Sequence, residues 1–202
     1  TYTEAGRTND ANRLTYYSPR IEGFQLGLSY VPNSGEDTNG LVDRNTALAD
    51  GYAVGANFKR DMGGFTVGVS GGFGTISDGD GDDPSSTNVG VKISSGGLSA
   101  GFSYAESEND SSGGDMTGFN AGVAYSSGPM GVSLAYFGSE RDGNGGTVNA
   151  ASMNTTHLSA KYALGPGVTA AGTLGYNSYK ADDSTGADNE GSYLVVGLKV
   201  SF

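Results

Sequence analysis

The side chains able to do chemistry in this chain are few and unevenly placed. Lys59, Lys92, Lys161 and Lys199 each stand within a few residues of a short connection or of the chain end, the single histidine is His157, and Cys is absent. Without Cys there is no disulfide, no thiolate metal site and no thiol nucleophile, which fits an exported protein without proving export. Nucleophilic hydrolysis needs a hydroxyl or thiol beside a base that is itself oriented by an acid. No nucleophile motif flanks His157, so it reads as a wall residue and no catalytic residue is assigned. One segment, Asp78-Gly79-Asp80-Gly81-Asp82-Asp83, offers carboxylates on a pliable backbone. Asp78, Asp80, Asp82 and Asp83 could supply oxygen ligands to Ca²⁺. They lack the terminal Glu spacing of an EF-hand, and such Asp/Gly runs are more often solvated loop. No other cofactor is implied. A net charge of −11 disfavours nucleic acid as a partner.

The elements that carry these residues are strands. With 36 Gly, no Trp and 36% hydrophobic residues in 202, a packed globular core is not what holds the chain together. No run approaches the 18 or so apolar residues of a membrane-spanning helix. A transmembrane barrel escapes that test, because its hydrated inside and apolar outside average out along each strand. Its signature is period two, and period two recurs throughout. Phe24, Leu26, Leu28 and Tyr30 alternate with Gln25, Gly27 and Ser29, and successive side chains of a strand point to opposite faces. The same pattern covers Tyr52 to Lys59, Phe65 to Ser70, Asn88 to Ile93, Leu98 to Tyr104, Phe119 to Tyr125, Met130 to Tyr136, Leu158 to Tyr162, Val168 to Tyr176 and Leu194 to Phe202. With a first strand at 12–17, the count is eleven. The lysines fall on the polar faces of their strands, and so does His157.

Connection lengths alternate strictly. Short, turn-rich ones lie near 18–22, 61–64, 95–97, 127–129 and 164–167, and long ones near 32–50, 77–86, 106–116, 140–152 and 181–190. This predicts an all-β, antiparallel up-and-down transmembrane barrel, as one domain over 1–202, with a tight periplasmic rim and a loopy external rim. Tyr17, Phe24, Phe58, Phe65 and Phe202 fall near the short turns, while Tyr30, Tyr52, Phe73, Tyr104, Phe119, Tyr136 and Tyr176 fall toward the long loops. Amphipathic rings favour the two membrane interfaces, so two girdles are expected. The long loops hold 18 acidic and 2 basic residues, leaving 4 acidic and 9 basic elsewhere. The inward lysines therefore predict a partial basic ring at the tight rim. The acidic mouth opposite would gather cations over about a Debye length, roughly 8 Å at physiological salt, against the pull of those lysines.

Residues 12–31 carry a more specific pattern: Asn12, Arg13 and Leu14, then Tyr16-Tyr17-Ser18-Pro19, then Gly23-Phe24. This stretch resembles the hairpin that follows the inward-folded constriction loop of the Gram-negative general porins, especially the alphaproteobacterial kind. The end of the chain, with Gly197, Val200 and Phe202 in alternation, is similar to the signal that the barrel-assembly machinery reads. The resemblance implies a homotrimer of 16-stranded barrels set in outer-membrane lipid and lipopolysaccharide. It also implies a water-filled channel for passive diffusion of ions and small hydrophilic solutes, with the acidic mouth favouring cations. It makes Arg13 the first candidate for the basic wall of the constriction and Arg7 the second. Eleven is odd, and bacterial single-chain barrels use even numbers, so five N-terminal strands are expected to be missing and the sequence to be the C-terminal part of a longer chain. The rival reading is an autotransporter or adhesin barrel with a translocator or structural role. That reading expects a helix inside the lumen, and no helix signal is visible.

Overall fold

Alternating β-branched and aromatic residues favour a pleated, half-exposed surface, and that is what forms. The computed structural model describes residues 11–34, 48–77, 83–108, 114–143, 149–181 and 188–201. Among these residues eleven strands follow one another: β1 (Leu14–Tyr17), β2 (Phe24–Asn33), β3 (Ala49–Asp61), β4 (Thr66–Ser77), β5 (Ser85–Ser95), β6 (Leu98–Glu108), β7 (Met116–Ser127), β8 (Met130–Arg141), β9 (Ala151–Gly165), β10 (Val168–Ala181) and β11 (Asn189–Val200). They make a single sheet in chain order, each strand antiparallel to the next, as in β2 with β3 and β9 with β10. The count, order and alternation of connections match the expectation from sequence. The strands run longer than the apolar pattern suggested: β9 has 15 residues, against the 9–11 or so needed to cross a bilayer at a tilt. Its first turn of pairing uses Ser152 and Asn154, opposite Lys180 and Ser178. Those polar residues give no hydrophobic signal, yet their backbones bond like any others.

The tight rim repeats one device five times. The last residue of each short turn offers its carbonyl to the hairpin that follows. Gly23 O accepts from Lys59 N at 2.8 Å, Gly97 O from Ser126 N at 2.9 Å, Pro129 O from Ala163 N at 2.9 Å and Gly167 O from Ser201 N at 2.8 Å. At the remaining turn, Gly64 O accepts from the Ser95 hydroxyl at 2.7 Å. Gly97 shows why glycine is needed. Its φ is +87°, and a Cβ there would sit 2.3 Å from Ser126 O, in a backbone region that side chains disfavour.

The sheet has two faces, and among the described residues it has no packed core of large side chains. No large side chain among the described residues is fully buried. One face carries Leu28, Val54, Val69, Val91, Phe102, Val123 and Leu134, all more than a third exposed, with Leu28 opposite Val54, Val69 opposite Val91, Val91 opposite Phe102 and Val123 opposite Leu134. Toward the long-loop ends its aromatics pair: Tyr30 with Tyr52 at 5.1 Å between centroids, and Phe119 with Tyr136 at 5.5 Å. The other face carries Gln25, Asn57, Ser70, Ser103 and Asn120 in one row of opposed positions. Tyr17 departs from the expected girdle. It pairs with Gly27 on the polar face, its ring lying where a Gly27 side chain would be, because β1 places Leu14 and Tyr16 on the apolar side and its neighbour necessarily on the other.

β1 and β11 form the two edges of the sheet and are not paired with each other. Near the loop ends of the polar face, Val31, Asn33, Ile76 and Ser86 are buried.

Candidate functional site: the polar face of the sheet

The polar face positions its charges by register. Lys59 pairs with Gly68, and Gly68 with Lys92. The two lysines therefore flank a position without a side chain, two strand spacings apart, about 10 Å. Both are exposed. Lys161 pairs with Gly131, and its stem lies over that glycine: a Cβ on Gly131 would come within 2.7 Å of Lys161 Cε. Lys199 stands opposite Thr169. All four lie close to the tight rim, as the alternation predicts. They occupy three different cross-strand rows rather than one, because the strands end at staggered heights.

Arg20 joins them, and sequence reasoning missed it. It lies in the turn between β1 and β2, where alternation says nothing about direction. Its guanidinium turns onto the polar face, donating to Gly23 O at 2.7 Å, Gln25 Oε1 at 2.9 Å and Asn57 Oδ1 at 2.6 Å. The signal lay across the sheet, in the pairing of Gln25 with Asn57, and is not local in sequence. Arg60, by contrast, meets Glu22 at 3.7 Å outside the polar face, both side chains more than half exposed, an arrangement worth little.

His157 continues the row of Lys59 and Lys92 across Gly101, Gly122 and Ala135. Beyond it come Gly175 and Tyr193. The Tyr193 ring lies across the bare face of Gly175, where a Cβ would collide with it, and its hydroxyl bonds His157 Nε2. The imidazole is thus held edge-on to a tyrosine as part of the wall.

Toward the long-loop ends acidic residues gather at the rim, and those on strands continue the apolar-face alternation, Glu106 and Glu108 that of Tyr104, Glu140 that of Tyr136 and Glu190 that of Leu194. Asp50, Asp83, Glu106, Glu108, Asp115, Glu140, Asp142, Asp188 and Glu190 stand there with Arg13, Arg141 and Lys180, nine acidic against three basic. Asp50 accepts from the Tyr30 hydroxyl, Glu190 from the Tyr176 hydroxyl at 2.9 Å, and Arg141 donates to Asn149 O. Arg13 is exposed just before β1 and donates to Ala11 O at 3.3 Å. Arg7, Asp78, Asp80, Asp82 and Phe202 lie outside the described residues. Asp83 is exposed, and no cluster of three metal-binding side chains occurs among the described residues. Gly197 is on the polar face opposite Ala171, and Val200 is opposite Val168.

The sheet is thus polar on one face, with lysines close to the short turns, and apolar on the other, with carboxylates gathered at the long-loop rim. Residues 1–182 match the family model described as Gram-negative porin. No curated protein matches the sequence. Solved structures do match the fold. A porin refined at 1.8 Å is 18% identical, with 93% of this chain and 60% of that one covered at a TM-score of 0.62. An anion-selective porin from Comamonas acidovorans is 17% identical, covering 94% and 57% at 0.55. OmpF of Salmonella typhi, in complex with daunomycin, is 16% identical, covering 92% and 61% at 0.58. The chain therefore spans about three fifths of the length of these structures. Family and fold place it in the bacterial outer membrane. The apolar face meets lipid, the polar face lines the interior, and the chain belongs to the Gram-negative porin family.

Proposed function

We propose that this chain forms much of the wall of a water-filled channel through which ions and small hydrophilic solutes cross the outer membrane passively. One observation carries the reading. A continuous antiparallel sheet presents mainly hydrated side chains along one face and apolar ones along the other, and only a closed barrel around water gives both faces a suitable solvent. The edges of β1 and β11 need partner strands in lipid, because unpaired backbone groups there cost several kcal/mol each. Further strands, contributed by a longer chain, meet that need and bring the sheet to the even count of the family.

Association into a homotrimer, interaction with lipopolysaccharide and recognition of β11 by the barrel-assembly machinery belong to the same proposal. So does a cation preference, supported by the nine acidic residues at the loop rim. The carboxylates of the Asp78 to Asp83 run would hold Ca²⁺ there only if the loop closes around it.

Planar-bilayer recording tests this. The full-length protein is expected to give large, stable openings in steps of three, with a reversal potential in a KCl gradient that favours K⁺. Silence at every salt concentration would overturn the channel reading and favour a structural or translocator barrel.

A further inference from the structure

The row of opposed polar-face positions that runs from Gln25 and Asn57 to Asn120 does not end there. It continues through Phe137, Thr155 and Asn177. No position in it is charged. Lys59, Lys92 and His157 stand one row nearer the short turns, and the row on the other side is largely bare, with Gly55, Gly72 and Gly118. The neutral row also climbs. Gln25 is the second residue of β2 counted from its short turn, Asn120 the eighth of β7 and Asn177 the tenth of β10. Eight residues along strands tilted near 45° make about 20 Å of depth, in a hydrocarbon core about 30 Å thick. The tilt and stagger that barrels require thus carry an uncharged row through much of the membrane.

Near its loop end the row gains apolar surface. The Phe137 ring leans over Gly118, its Cε2 3.6 Å from where a Cβ would stand. Met153 and Tyr179 oppose each other one row nearer the loops, both more than a third exposed. Thr155 Oγ1 and Asn177 Oδ1, on opposed residues of β9 and β10, are buried without a hydrogen-bond partner, where buried polar atoms normally have one. An open recess of about 800 Å³ is lined by Asn57, Ser70, Ser103, Asn120, Phe137 and Thr155, a volume that suits a small-molecule ligand. Amides and hydroxyls together offer both donors and acceptors, as the hydroxyls of a sugar require. An aromatic face suits the apolar C–H face of a sugar ring.

We propose that this row is a binding track for neutral saccharides, with its tightest station at Phe137, Thr155 and Asn177. The inference rests on the channel reading above. A saccharide arriving from the loop side sets one ring against Phe137 and displaces the flexible Met153 side chain. Its hydroxyls then donate to Asn177 Oδ1 and bond Thr155 Oγ1. From there it descends by exchanging one amide or hydroxyl for the next.

The full-length protein in planar bilayers tests the track, in 1 M KCl, where the Debye length is about 3 Å and the lysines are screened. Maltotriose is expected to block the ion current reversibly and in proportion to occupancy, and to do so more strongly than polyethylene glycol of the same size, which has almost no hydroxyls. F137S and T155V/N177A, with folding verified by heat-dependent gel mobility, are each expected to raise the half-blocking concentration about three- to tenfold, the worth of one aromatic contact or one or two hydrogen bonds. T156V makes a like change on the apolar face and is expected to leave the block as it is. Conducting channels that maltotriose does not block, a block no stronger than that of the polymer, or one that both track variants leave intact would overturn the track while leaving the channel standing. So would an equal loss in T156V. Complete silence would remove both.

Discussion

At Gly175 the missing side chain lets a tyrosine on one neighbouring strand reach a histidine on the other. Tyr193 crosses β10 and bonds His157 through space that any Cβ would occupy. Gly27 under Tyr17 and Gly131 under Lys161 follow the same logic. A Gly175→Val substitution is therefore expected to expel the Tyr193 ring and to destabilise the barrel by about 1–3 kcal/mol, the usual cost of overpacking. Gly191→Val, where nothing lies within 4 Å, is expected to be close to neutral. Urea unfolding in detergent micelles compares the two, and equal losses would show that the Tyr193 arrangement has no special weight. None of this was legible in the sequence. His157 could be assigned to the polar face from Leu158 beside it, but its partner stands 36 residues away on a strand it does not touch.

The tight turns carry the argument at the scale of elements. Gly97 and Gly96 are neighbours with positive φ, yet only Gly97 faces the next hairpin. Gly97→Ala must strain both its backbone and the bond to Ser126, so a loss of about 2 kcal/mol or more is expected from strain of this kind. Gly96→Ala has open space and should lose only about 1 kcal/mol. Refolding yield and heat-dependent mobility in detergent report the difference, and identical behaviour would discount the stitched rim. The sequence made the strands legible because period two survives wherever one face meets lipid, as from Phe24 to Tyr30. It also located the turns through Gly and Pro. It could not reveal the strand ends at Ser152 and Asn154, whose polar side chains satisfy either water or loop, nor the inward swing of Arg20, fixed by Asn57 from another strand.

For the molecule as a whole, the inside-out distribution makes a test from adjacent residues. Val69 belongs to the apolar face, opposite Val91, and Ser70 to the polar one, opposite Gly90. Val69→Lys is expected to cost about 2–4 kcal/mol in lipid, whereas Ser70→Lys stays hydrated and should cost far less. Stability in phospholipid vesicles separates them, and equal penalties would reverse the assignment of faces. This distribution was the most legible property of all, since it needs only the alternation and no knowledge of which strands meet. The candidate wall residues were legible to the same degree. Lys59, Lys92, Lys161 and Lys199 stand where parity puts them, while the spacing between them depends on stagger, which parity does not contain.

The five carbonyl bonds along the short-turn rim tie each hairpin to its successor before any long loop is involved. Register is thereby settled from one side of the sheet, like the hem of a pleated cloth. The opposite side is released from that duty, so its connections can lengthen, shorten or change sequence while the pairing beneath them stays as it is. That rim can then be rewritten piece by piece, and binding segments can be grafted into it, without re-solving how the wall is built.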